Sequence, residues 1–195
     1  MPVLSFLLFV VVTSFTPGPN NLMAMAFANK HGFKKTTTFC VGVGFGFFII
    51  ILCCLLFNRL LLNLMPAIEL PLSLFGVGYM LYLAYKILTS KDTGNNIYGK
   101  DHTNFFLIGA LLQFINPKAI LYGVAVVSTY ILPYYSSMSS YLMLSAFLGI
   151  VGILSTFTWS LLGSLLQTVV KQYQKPFNIL MALLLVYSAF SILLR

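Results

Sequence analysis

From Met1 to Asn29 the chain carries no charge, yet "SFTPGPNNLMA" puts two prolines, a glycine and two asparagines in the middle of that run. An uncharged apolar stretch of this length reads as a membrane-crossing helix. Proline lacks the amide donor and clashes with the preceding turn, so a helix here must break and leave backbone groups without partners. In hydrocarbon such groups are costly unless something uses them.

Composition fixes the solvent. Of 195 residues 59% are hydrophobic and 7% charged, against about a quarter charged in soluble domains. The chain therefore reads as an all-α integral membrane protein forming one transmembrane domain over 1–195. "MPVLSFLLFVVVTSF" has no Lys or Arg before its apolar run and no small-residue cleavage site after it, which argues against a removable signal peptide. The +8 formal charge lies mostly in short connectors, where it sets topology and does not mark nucleic-acid binding. Cys40, Cys53 and Cys54 share one apolar segment with no CxxC and no histidine beside them, so buried small side chains account for them better than a metal site or a disulfide.

Dividing the chain at charge and turn clusters gives six spans of about 20 residues or more. They run from Val3 to Ala28, Thr37 to Leu64, Leu70 to Leu88, Phe105 to Leu132, Tyr141 to Val169 and Phe177 to Leu194. The uncharged stretch from Ala119 to Val170 is too long for one crossing, which makes "PYYSSMSS", from Pro133 to Ser140, a turn near a membrane surface. Connectors after the odd spans hold Lys30, Lys34, Lys35, Lys86, Lys91, Lys100, Lys171 and Lys175, and the other side only Arg59 and Arg195. That bias puts the odd connectors in the cytoplasm and both termini outside.

The broken pattern recurs. "FINPKAI" interrupts span four as "TPGPNN" interrupts span one, and Pro19 and Pro117 are 98 residues apart, about half the chain. Halves of three spans each (about 1–98 and 99–195) must lie in opposite orientations, which is the inverted-repeat arrangement of many transporters. Asn116-Pro117 reads as an N-cap followed by proline at the first helical position, and Thr16, Pro17, Gly18 and Pro19 can restart a helix in the same way, with Asn20 and Asn21 in its first turn. Two such N-termini facing one another favour an anion, for which a carboxylate is the obvious small candidate. Lys118 adds a cation at the same depth, with no acid predicted beside it, and a substrate carboxylate would serve as its partner.

Kinks without function are the bland alternative for any one of these prolines. Two asparagine-bearing breaks half a chain apart, one with a lysine, favour a transport site. Gly42 and Gly46, in "GVGFGF", read first as close helix packing and second as a conduit wall, and Gly44, Gly76, Gly78, Gly149 and Gly152 invite the same reading; such faces also permit a homodimer. Glu69 reads as a surface carboxylate, and His31 and His102 as solvated connector residues. There is no GxSxG, no HExxH, no phosphate-binding glycine loop and no carboxylate pair at a plausible depth, so catalysis, a metal and a cofactor are not expected.

Together, "FTPGPNN", "GVGFGF", "GYMLYLAYKI" and "NPKAILYG" resemble the LysE/RhtB family of bacterial amino-acid exporters, and the likeness runs through nearly the whole chain. "ILYGV", "STYILP" and "NILMALLLVYSAF" are similar to its cysteine and O-acetylserine exporter branch. The resemblance implies a six-helix carrier in the lipid bilayer of the inner membrane, moving small amino acids outward with the proton gradient. It also implies that Thr16 to Pro19 and Asn116 to Lys118 are family motif positions. A related redox branch has a cysteine on each broken helix, and this chain has none there.

Overall fold

In the computed structural model, residues 1–89, 104–166 and 173–193 are described. Lys91, Lys100, His102, Lys171 and Arg195, together with the side chains of Arg59, Glu69 and Lys86, lie outside them. The described residues form eight α-helices and no strand: α1 (Val3–Phe15), α2 (Pro19–His31), α3 (Phe33–Leu56), α4 (Asn58–Thr89), α5 (Phe105–Ile115), α6 (Pro117–Val126), α7 (Met138–Leu165) and α8 (Gln174–Leu193). A π-helical turn, Val127–Ile131, extends α6.

Two helices, α3 and α7, are long and apolar enough by themselves to cross a membrane; at 24 and 28 residues each exceeds roughly 30 Å of hydrocarbon at about 1.5 Å per residue. The pairs α1 with α2 and α5 with α6 pass the same test jointly but are bent by 49° and 66° at their breaks, which gives two to four candidate spans among the described residues. Spans one and four thus appear as the two bent pairs. The division expected between Leu64 and Leu70 is corrected: α4 runs unbroken through Pro66 and Pro71, and the chain turns at Phe57 instead. Proline is tolerated within a helix when surrounding structure satisfies the freed groups. The turn expected over Pro133 to Ser140 ends earlier, because the Ser137 hydroxyl accepts the Ser140 amide (3.2 Å) and starts α7 at Met138.

Helix α3 is the centre of the bundle, packed between α5 and α7, while α2 lies along α7 and α4 along α8. Glycines make these contacts close. A Cβ at Gly42 would overlap the Phe106 carbonyl, one at Gly46 would lie 2.5 Å from the Ala110 oxygen, and one at Gly109 would overlap the Phe39 carbonyl, so α3 and α5 meet backbone to backbone. Gly44 and Gly149 do the same for α3 and α7. These approaches are all within one chain. Gly78 is different, with open space over it.

Three apolar clusters surround the breaks. One joins α1, α3, α6 and α7 around Phe6, Val10, Ile51, Val126 and Leu148. Another joins α2, α4 and α8 around Leu22, Met80 and Leu185, and the third joins α2 to α3 through Phe27, Phe39 and Val43. The outside is also apolar, with Leu4, Met143 and Leu183 all well exposed. His31 is not a freely solvated loop residue: it ends α2 half-buried, with its ring 5.2 Å from that of Phe105 and 6.1 Å from that of Phe27.

Candidate functional site

The break in the first bent pair leaves the last carbonyls of α1 without intrahelical partners, and side chains from four other helices supply donors. The Ser14 oxygen accepts from Ser155 Oγ (2.6 Å) and Asn21 Nδ2 (2.9 Å). Phe15 accepts from the indole of Trp159 (3.1 Å). Thr16 accepts from Asn21 Nδ2 (2.9 Å) and Lys118 Nζ (3.0 Å), and Pro17 from Ser188 Oγ (2.8 Å) and Lys118 Nζ (3.3 Å). The donors come from α2, α6, α7 and α8, so this short irregular segment ties together helices that are distant in sequence.

The second break is simpler. Asn116 is 3% exposed, and its side-chain oxygen accepts the Lys118 amide (3.1 Å), capping α6 with Pro117 at its first position. The Pro117 ring is received by Gly76 of α4, where any Cβ would overlap it. Lys118 then reaches across to the first break, bonding the Thr16 hydroxyl (2.9 Å) as well as the two carbonyls. A lysine at a helix C-terminus complements the negative end of its dipole.

The two breaks meet at one cavity of about 60 Å³, room for roughly four waters. Its wall includes Gly18, Pro19, Asn20, Asn21, Asn116 and Lys118 from among the residues singled out in the sequence. Thr16, Pro17 and Pro117 stand behind that wall, and Gly42 and Gly46 face α5 instead. Several wall residues carried no sequence signal of their own. Gln113, 1% exposed on α5, accepts from Asn20 Nδ2 through its side-chain oxygen at 2.9 Å. Tyr122 of α6 shares a hydrogen bond with Ser14 (3.3 Å) and packs edge-on against Phe9 and at a tilt against Phe47. Ser155 and Thr156 line the cavity from α7. The available signal was a lone glutamine in the apolar run from Phe105 to Ile115, one turn before the Asn-Pro break.

Helices α2 and α6 both begin at this cavity and leave it in opposite directions. Phe27 near the end of α2 meets Phe105 at the start of α5 (5.4 Å between ring centroids), whereas Tyr122 of α6 meets Phe9 in the middle of α1 (5.7 Å). Each break therefore offers one helix N-terminus and one C-terminus. The C-terminal carbonyls of α1 are occupied by protein donors, which leaves the N-terminal ends, the asparagines and one lysine to set the character of the cavity. Among the described residues no Asp or Glu lines it.

Known proteins match over nearly the same length. The LysE type translocator family matches residues 11–195. The chain is 37% identical over 185 residues to the cysteine/O-acetylserine efflux protein of Escherichia coli (strain K12), covering 95% of this chain and 94% of that protein. Proteins of the same name from Shigella sonnei (strain Ss046) and Shigella flexneri match with the same identity and coverage. No solved structure gives a significant match. A bundle of apolar helices with two bent pairs meeting at a polar cavity suits a multi-pass translocator better than a catalyst, and the match over residues 11–195 shows that the chain belongs to the LysE type translocator family.

Proposed function

We propose that this protein exports small neutral amino acids, cysteine and O-acetylserine foremost, from the cytoplasm across the inner membrane, coupled to the proton gradient. The observation that carries the reading is the 37% identity to cysteine/O-acetylserine efflux proteins over 95% of the chain. The cavity supports it. Asn20, Asn116 and Lys118 around the starts of α2 and α6 offer donors to a carboxylate, and Asn21, whose two amide hydrogens are taken by the Ser14 and Thr16 carbonyls, holds those groups in place with Thr16 to Pro19 and Pro117.

In this reading the chain crosses the bilayer six times as two inverted halves, about 1–98 and 99–195, with both termini in the periplasm. The opposed directions of α2 and α6 support the inversion, the exposed apolar side chains support a lipid surround, and the lysine bias supports the orientation. Helix dipoles and asparagine amides bind the substrate carboxylate, and Lys118 exchanges its carbonyl partners for it.

Counterflow in proteoliposomes tests the function directly. Vesicles loaded with unlabelled cysteine should transiently accumulate labelled cysteine, and O-acetylserine should compete. A passive pore would equilibrate the label without an overshoot, and that result would overturn the carrier reading. Terminal reporter fusions active only in the cytoplasm would overturn the orientation.

A further inference from the structure

The amide pair between the two broken helices has a fixed sense. Gln113 sits in the last turn of α5, and its Nε2 is 3.2 Å from the Gly109 carbonyl oxygen. A backbone carbonyl only accepts, so the nitrogen of Gln113 must be on that side and its oxygen on the other. That oxygen is 2.9 Å from the Asn20 amide nitrogen. Turning Asn20 over would set two acceptors against each other. The Asn20 oxygen is therefore held on the opposite edge of its amide, where it is buried and has no hydrogen-bond partner among the described residues.

A buried acceptor without a donor is unusual in a folded protein and needs an explanation. This one belongs to a residue of the cavity wall, and among the described residues that wall contains no carboxylate. A zwitterionic substrate brings both a carboxylate and an ammonium into the cavity, and Lys118 and the helix starts serve only the first.

We propose that Gln113 is a positioning residue that presents the Asn20 side-chain oxygen to the ammonium group of a zwitterionic substrate. The proposal rests on the transporter reading above and adds how the amino end is recognised. Asn20 makes the contact; Gln113 acts through it, and the Gly109 carbonyl sets the sense of both.

The test compares cysteine with 3-mercaptopropanoate, which lacks only the amino group, as substrates and competitors in proteoliposomes. One hydrogen bond to a charged group gives the wild type a preference for cysteine of about 10- to 100-fold in KM. In Gln113→Leu the Asn20 amide is free to turn, and KM for cysteine should rise to within about threefold of that for the desamino acid, whose own KM stays put. Gln113→Glu keeps an acceptor facing Asn20 and should retain the preference. If Gln113→Leu keeps the preference, or weakens both compounds alike, the proposal is overturned. Should that variant fail to reach the membrane, Asn20→Ala removes the acceptor itself, and an undiminished preference there overturns the proposal equally. Wild-type protein that carries both compounds alike would sink the ammonium contact and leave the exporter standing, whereas wild-type protein that carries neither would sink the exporter reading itself.

Discussion

The Lys118 ammonium lies 3.0 Å from the Thr16 carbonyl oxygen and 2.9 Å from the Thr16 hydroxyl, so the cation of one broken helix is bound to the break in the other. This relationship joins residues 102 positions apart. It shows how a lysine is held inside an apolar bundle: oriented carbonyls and a hydroxyl at the end of α1 take up its ammonium hydrogens. A carboxylate entering the cavity would compete with these neutral acceptors for that ammonium through a stronger, charge-assisted bond.

Lys118→Met keeps the length of the side chain and removes its charge. Thr16 and Pro17 lose a charge-assisted donor, at a cost of about 1.5–3 kcal/mol, and in the proposed carboxylate site the substrate loses its cation. The expected result is a KM for cysteine raised about tenfold or more together with a lower melting temperature in detergent. Unchanged counterflow at equal membrane abundance would show that the ammonium serves the fold alone.

Gly18→Ala perturbs the same lysine from the opposite side. The backbone at Gly18 is extended (φ −173°), so alanine brings no backbone strain. Its Cβ would lie 3.0 Å from Lys118 Cδ and 3.1 Å from Nζ, both near the end of a flexible side chain that shifts by a few tenths of an ångström. Transport should fall severalfold while abundance and thermal stability stay near wild type, as read by counterflow and by fluorescence-detected gel filtration.

The breaks were legible in the sequence, since proline in a helix removes a bond wherever it sits, and Pro17, Pro19 and Pro117 mark the bends within a few residues. Proline alone does not fix a break, since α4 runs through Pro66 and Pro71. What holds the breaks open was not legible. Ser155, Trp159 and Ser188 cap carbonyls 141, 144 and 171 positions away, and a single serine or tryptophan in an apolar helix has no local pattern to give it away. The helix-dipole reading was also one-sided: every broken helix that offers a start also offers an end, and the end of α1 is what Lys118 binds.

Trp159→Phe keeps the ring packing and deletes the donor to the Phe15 carbonyl. Leaving that acceptor without its partner costs about 1–3 kcal/mol. The melting temperature should drop, with transport reduced only in proportion to the folded fraction. If Trp159→Phe is as stable as wild type, water or a rearranged break satisfies Phe15 instead.

Gly42→Ala and Gly78→Ala separate close packing from mere glycine content. Alanine at 42 would overlap the Phe106 backbone carbonyl, which cannot swing aside without moving α5; overpacking of this kind costs about 1–3 kcal/mol or more. Position 78 has open space, and alanine there should be neutral or stabilising by up to about 1 kcal/mol through helix propensity. Membrane abundance and melting temperature should diverge between the two variants, and equal behaviour would contradict the α3–α5 contact.

Substrate charge is the remaining prediction. The cavity offers helix starts, asparagine amides and Lys118, all suited to a carboxylate, while the Asn20 oxygen is a neutral acceptor and, among the described residues, no Asp or Glu lines the wall. Lysine or arginine would bring a second cation beside Lys118 into a low-dielectric space, where an unpaired charge costs far more than a small polar side chain. Cysteine, O-acetylserine and serine should therefore compete in counterflow, and lysine and arginine should not at tenfold higher concentration, roughly the factor that 1.4 kcal/mol represents. Introducing an acid into the cavity wall, by Thr156→Glu on α7, should relax this exclusion and admit lysine. Efficient transport of lysine by the unaltered protein would show that its charge is neutralised by a group outside the described cavity wall.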